Sequence, residues 1–181
     1  MLMGGFLLRL YMEIKNGNQA LFAFLDLSPK CDAMVWEFIK KNNENDYKLK
    51  GKLNDAILNI SRCQSEIEKI FYLALQLYII EVGYAKYIIE PQYKISVGLD
   101  YFSADFMIFD SRNPLFLLVV ECDGHEFHEK TKEQVIYDNE REYKLKSAGY
   151  DVLHFSGSEI YNNPYECAEK TLNYISKNNK K

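Results

Sequence analysis

Alternation of apolar and polar positions predicts the strands of this chain, and apolar recurrence at three and four residues predicts its helices. Leu8, Leu10, Met12 and Ile14 alternate with Arg9, Tyr11, Glu13 and Lys15, and Asn16-Gly17-Asn18 follows, so a hairpin is expected over Phe6–Leu25. Ser28-Pro29 reads as an N-cap with proline at the first helical position; Met34, Val35, Phe38 and Ile39 form one face of a helix that fades near Asn42. The polar stretch Lys40–Lys52 reads as a linker. Leu53, Ala56, Ile57 and Ile60 have helical spacing. Ser65 opens a stronger helix through Ile67, Ile70, Phe71, Ala74, Leu75 and Tyr78, which Gly83 ends. Three strands are expected at Gln92–Val97, Tyr101–Phe109 and Leu115–Cys122, joined by short turns as an antiparallel meander. A helix over Lys130–Ala148, a strand over Asp151–Phe155 and a helix over Pro164–Ile175 complete the pattern. This order predicts an α/β sandwich with a central mixed sheet and flanking helices, preceded by an N-terminal α+β extension of hairpin and helix. The expected division is 1–52 as an accessory region with its linker and 53–181 as the main domain.

Composition narrows the function classes. The 181 residues are 48% hydrophobic, enough for a sizeable core, and the net charge of −4 speaks against a protein that coats DNA. An enzyme that meets DNA through a few local contacts remains compatible with that balance. No apolar run approaches the ~20 residues needed to span a bilayer, so no membrane partner is expected. Cysteines 31, 63, 122 and 167 lack zinc spacing and read as reduced thiols of a cytoplasmic protein.

The chemistry concentrates where the apolar run Leu115–Val120 gives way to Glu121, Asp123, His125, Glu126 and His128. Carboxylates at the end of a buried strand are paired, protonated or bound to a cation. Asp105 interrupts another apolar strand and can face Glu121 on its neighbour. Glu121 and Asp123 share one face while Cys122 points to the other. Three carboxylates with the Cys122 carbonyl close by make a hard-oxygen environment suited to Mg²⁺ or Mn²⁺. The packing alternative is a salt-bridged cluster facing Lys130 or Arg141. In the following helix Gln134, Asp138, Arg141, Leu145 and Ala148 share one stripe, polar at its N-terminal end.

Asp105, then Glu121-Cys122-Asp123-Gly124, Asp138-x-x-Arg141 and Gly149-Tyr150-x-Val152-Leu153 resemble the PD-(D/E)XK nuclease superfamily. Within it the chain is most similar to endonuclease-like domains related to very-short-patch repair endonucleases. Ser65-x-Ile67-Glu68 resembles that group's first-helix motif and Pro91-Gln92 the start of its first strand; the likeness covers about residues 60–175. The resemblance implies a restriction-endonuclease-like sandwich in which Asp105, Glu121 and the Cys122 carbonyl bind Mg²⁺ or Mn²⁺, with Glu68 holding a water or a second ion. It implies a metal-dependent endonuclease that hydrolyses DNA phosphodiester bonds. Where the superfamily carries a lysine this chain has Asp123, its last-strand arginine is His154, and a histidine common in the group is Phe127. His125, His128 and Gln134 are therefore the expected helpers. The other class left open is a catalytically inactive nuclease-fold module that binds nucleic acid or protein. A homodimer through the Phe6–Leu25 hairpin is a further expectation.

Overall fold

The computed structural model describes residues 28–42, 52, 53, 55, 56, 59–84, 86–124 and 131–179. The expected hairpin over Phe6–Leu25, and with it the dimer edge, lies outside these residues, as do His125 and His128. The chain divides into two compact units, Met1–Ser61 and Arg62–Lys181. In the first, α1 (Pro29–Lys41) starts where the Ser28 hydroxyl accepts from the Cys31 N–H at 3.4 Å, and it buries Cys31, Met34, Val35, Phe38 and Ile39.

The second unit runs α2 (Glu66–Val82), β1 (Tyr87–Val97), β2 (Asp100–Asp110), β3 (Asn113–Asp123), α3 (Lys132–Ser147), β4 (Asp151–Ser156), α4 (Gly157–Asn162) and α5 (Pro164–Asn178). The sheet order is β1-β2-β3-β4; the first two pairings are antiparallel and β3 pairs with β4 in parallel. The expected α/β sandwich around a mixed sheet is therefore present. A parallel pair needs a crossover, and α3 supplies it. Among the described residues no helix is long and apolar enough to cross a membrane.

Two helical layers cover the sheet. On one face α2 sets Phe71 and Tyr72 against Phe106 of β2, and Phe71 against Phe155 of β4. It also packs against α4 and α5, so it is apolar nearly all round, with Ile70, Leu73, Ala74, Leu75 and Leu77 fully buried. On the other face Leu145 of α3 joins Met107 and Val119 in a smaller cluster that includes Ile95, Phe102 and Ala104. Most of α3 is solvated, and Leu145 is its one buried residue.

Three differences from the sequence expectation have physical causes. Strand β1 begins at Tyr87 and runs through Pro91, rather than starting after it. Proline lacks the N–H a central strand needs, but β1 is an edge strand. Helix α4 was not expected, because its six residues are too few to show a period. Its start is nevertheless a capping box, with Ser156 and Glu159 bonding each other's backbone N–H groups. Third, Cβ alternation fails in β1 and β2. Ala104 and Phe106 would share a face in a regular strand, yet Phe106 meets α2 while Ala104 packs in the α3 cluster.

The break in alternation sits at one cross-strand position. Pro91 pairs with Phe106 and Tyr93 with Ala104, which leaves Gln92 opposite Asp105 with no ladder pair. Gln92 has φ +53°, the only positive φ of a non-glycine among the described residues. A side chain in this left-handed region costs roughly 1–2 kcal/mol. Asp105 thus occupies the place where the sheet changes sides.

Candidate active site

The β2–β3 ladder ends at Phe106–Val120, one residue before Asp105 and Glu121 would face each other. Beyond it the two strands are bridged by side chains. Asp105 Oδ2 accepts from the Cys122 N–H at 2.7 Å, taking over a donor that a continued ladder would have used. Arg141, from the sheet-facing stripe of α3, donates to Glu121 Oε1 at 2.6 Å and to the Ser103 carbonyl at 2.8 Å. One guanidinium therefore spans β2 and β3 across the gap. Glu121 is both an end-of-strand carboxylate and the salt-bridged partner that the packing alternative foresaw.

Glu68 reaches the same region from the first turn of α2. It is 6% exposed, and its Oε2 accepts from the Gln64 N–H at 2.9 Å and from Gln92 Nε2 at 2.7 Å. The cap that starts the helix, Ser65 Oγ on the Glu68 N–H at 3.1 Å, fixes the backbone at that residue.

These carboxylates feel one another. Burial pushes the Asp105 carboxyl above the ordinary aspartate range, and the charges of Glu68 and Asp123 push it further; the Cys122 N–H and Arg141 oppose the shift. Burial raises Glu121 to about 7; the Asp105 charge adds to the rise, and Arg141 and His154 resist it. The Cys122 thiol is also driven up, first by burial and then by Asp105, Glu68 and Glu121. The cysteine is thus a neutral thiol at neutral pH, one of four free thiols in the chain.

Asp123 pairs with a histidine. Its Oδ2 lies 3.1 Å from His154 Nδ1 on β4, where the parallel register sets His154 beside Glu121 and Ser156 beside Asp123. His154 Nε2 is 3.8 Å from Glu142 of α3. The hydrogen bond to Asp123, helped by the charges of Asp123, Glu142 and Glu121, raises the His154 pKa above its ordinary value against the effect of burial. Next to this pair a cavity of about 740 Å³ opens between α3, β4 and the start of α4; Glu121, Asp123, Asn139, His154 and Ser158 line it.

Asp105, Glu121, Asp123 and Glu68 are thus brought into one electrostatic cluster. Gln134 is not: it sits at the third position of α3, and its Oε1 accepts from the Thr131 N–H at 2.8 Å while Thr131 Oγ1 accepts from the Gln134 N–H at 3.2 Å. Its side chain serves the helix start. Sequence reasoning missed Gln92 as the partner of Glu68, and His154 as the partner of Asp123. His154 had a legible signal, since alternation along β4 puts it on the face of Val152. Gln92 stood out only through the resemblance of Pro91-Gln92 to a first-strand motif, and nothing local marks a glutamine as left-handed.

Among the described residues no three His, Cys, Asp or Glu side chains form a ready metal cage. Mg²⁺ does not require one; it commonly takes one or two carboxylates and keeps several waters. Asp105 and Glu121 spend one oxygen each in the bonds above, which leaves the second oxygen of each to face a cation. The donor set fits a hard divalent ion.

No curated protein and no solved structure matches the chain. The profile of REase_MTES_1575, a restriction-endonuclease-like family, matches residues 77–175. That segment holds the whole sheet, both bridging groups of the strand gap and the Asp123–His154 pair, whereas Glu68 precedes it. The match covers more than half of the chain, so this protein belongs to the restriction-endonuclease-like family REase_MTES_1575 and carries a nuclease-like domain.

Proposed function

We propose that the domain is a divalent-metal-dependent endonuclease of the PD-(D/E)XK type, related to very-short-patch repair endonucleases, that hydrolyses DNA phosphodiester bonds. The observation that carries this reading is the pair Asp105 and Glu121, two largely buried carboxylates with raised pKa at the point where their strands part. Stability alone does not favour such a pair, and clustered carboxylates of this kind are a common mark of a working site.

Asp105, Glu121 and the Cys122 carbonyl are the proposed holders of Mg²⁺ or Mn²⁺, with Glu68 as an additional ligand or water holder. When bound, such an ion lowers the pKa of a water molecule and offsets charge on the scissile phosphate. The chain's own residues then position the reaction. Arg141 fixes Glu121 and spans the strand gap, Glu68 is oriented by two donors, and the Asp123–His154 pair offers an imidazole to hold or pass a proton. In this reading Asp123 orients that imidazole, a task a carboxylate performs and a lysine does not. His125 and His128 are further proton acceptors in the proposal.

Wild-type protein with Mg²⁺ or Mn²⁺ is expected to nick supercoiled plasmid, EDTA to stop it, and Glu121→Ala to abolish it. Equal traces of cutting by wild type and variant sink the nuclease reading and leave a binding module. Calorimetric titration with Mn²⁺ adds a pH test. An ion displaces the proton on Glu121, so affinity should rise by about tenfold per unit up to pH 7 and level off above it. Affinity that is flat from pH 5.5 to 7 removes Glu121 from the ligand set.

A further inference from the structure

Gln92 combines two features that rarely coincide without a reason. Its backbone is left-handed, a conformation for which glycine or asparagine is the ordinary choice. Its side chain, which contributes nothing to that backbone conformation, is engaged at both its amide nitrogen and its oxygen. Nε2 donates to Glu68 Oε2 at 2.7 Å, and Oε1 lies 3.5 Å from the Ser103 hydroxyl, which also receives Lys94 Nζ at 3.1 Å. The residue that breaks the alternation of β1 therefore ties α2 to β2 through its amide. It does so at the cross-strand position of Asp105. Strain of this kind persists where the surroundings over-determine it, and it gathers at working sites.

We infer that Gln92 is a positioning residue of the metal site, its amide holding the Glu68 carboxylate in place toward Asp105 across the broken strand pair. The inference rests on the metal reading of Asp105 and Glu121. An amide is suited to the task because it donates to Glu68 while adding no charge beside a cluster already rich in negative charge. A lysine here would neutralise Glu68 and compete with a cation; a second carboxylate would repel it. The backbone twist and the amide are separable, since glycine adopts the same φ without strain and carries no side chain.

That separation defines the experiment. Gln92→Gly and Gln92→Asn are compared with wild type by thermal unfolding without metal and by calorimetric titration with Mn²⁺, and by the kcat and KM of plasmid nicking. Gln92→Gly is expected to unfold at the wild-type temperature or above while binding Mn²⁺ about tenfold more weakly, a loss of about 1.4 kcal/mol. Its kcat should fall with the KM for plasmid unchanged, because the amide touches Glu68 and not the DNA. Gln92→Asn, with the amide on a shorter arm, should fall between the two in affinity. A Gln92→Gly protein that folds and binds Mn²⁺ as tightly as wild type overturns the role of Gln92 and leaves the metal reading standing. Wild type that takes up no Mn²⁺ at pH 8 overturns the metal reading, and this inference with it.

Discussion

Truncating Arg141 to methionine is expected to destabilise the protein by about 2–3 kcal/mol at pH 8 and by about 1 kcal/mol at pH 5. The asymmetry follows from Glu121. Its folded pKa, about 7, lies above the ordinary glutamate value of 4.5. A raised carboxyl pKa means that the contribution of this group to stability is greatest at low pH and declines as pH rises from 4.5 through 7, where folding starts to carry its buried charge. Arg141 limits that decline, with its guanidinium 2.6 Å from Glu121 Oε1 and both side chains mostly buried. Without it the Glu121 pKa climbs further. At pH 5 the carboxyl is protonated in either protein, so the loss reduces to the hydrogen bonds to Glu121 and Ser103. At pH 8 the variant must either bury an unpaired carboxylate or bind a proton against the solution pH. Urea unfolding at the two pH values measures the difference. A penalty independent of pH would show that Glu121 does not titrate as the structure indicates.

The second large effect separates function from stability. Asp105→Asn preserves shape and an oxygen able to accept from the Cys122 N–H, so the bridge between β2 and β3 survives. It removes a buried negative charge whose folded pKa is elevated by burial, Glu68 and Asp123. By the same sign argument, that charge costs stability at neutral pH, and the variant should melt at the wild-type temperature or above. Plasmid nicking should nevertheless fall on the order of 10³-fold, and Mn²⁺ binding should be lost, because an amide oxygen carries no formal charge to offer a cation. A variant that retains cleavage would remove Asp105 from the chemistry. One that loses both cleavage and stability would make Asp105 structural.

The sequence exposed the parts of this site that rest on strong local patterns. The strands β2 and β3 are apolar runs, so the intrusion of Asp105 and the terminal Glu121 and Asp123 could be seen. Antiparallel pairing through a short turn then put Asp105 near Glu121. The cap at Ser65 placed Glu68 in the first turn of a helix, and the spacing of Asp138, Arg141 and Leu145 aimed Arg141 inward. Non-local features stayed hidden. Phe102, Ala104 and Phe106 look like one regular apolar face, and only contacts from two different helices divide them. The partner of Asp123 comes from β4, thirty-one residues further on, through a parallel register that no turn specifies. Gln134 matched the polar end of a core-facing stripe, yet the competition for its side chain was won locally by the N–H groups at the start of α3.

The change of side at Gln92 and Asp105 has a consequence for how the protein is assembled. Glu68 arrives with the layer that covers one surface of the sheet, and Arg141, which holds Glu121, arrives with the layer that covers the other. The β2–β3 hairpin alone brings Asp105 near Glu121, but Glu68 and the Arg141 guanidinium join them only from the helices. During refolding the complete cluster, with Glu68 beside it and Glu121 paired to Arg141, exists only after both layers have docked, so its closure marks a late step of folding rather than an early one.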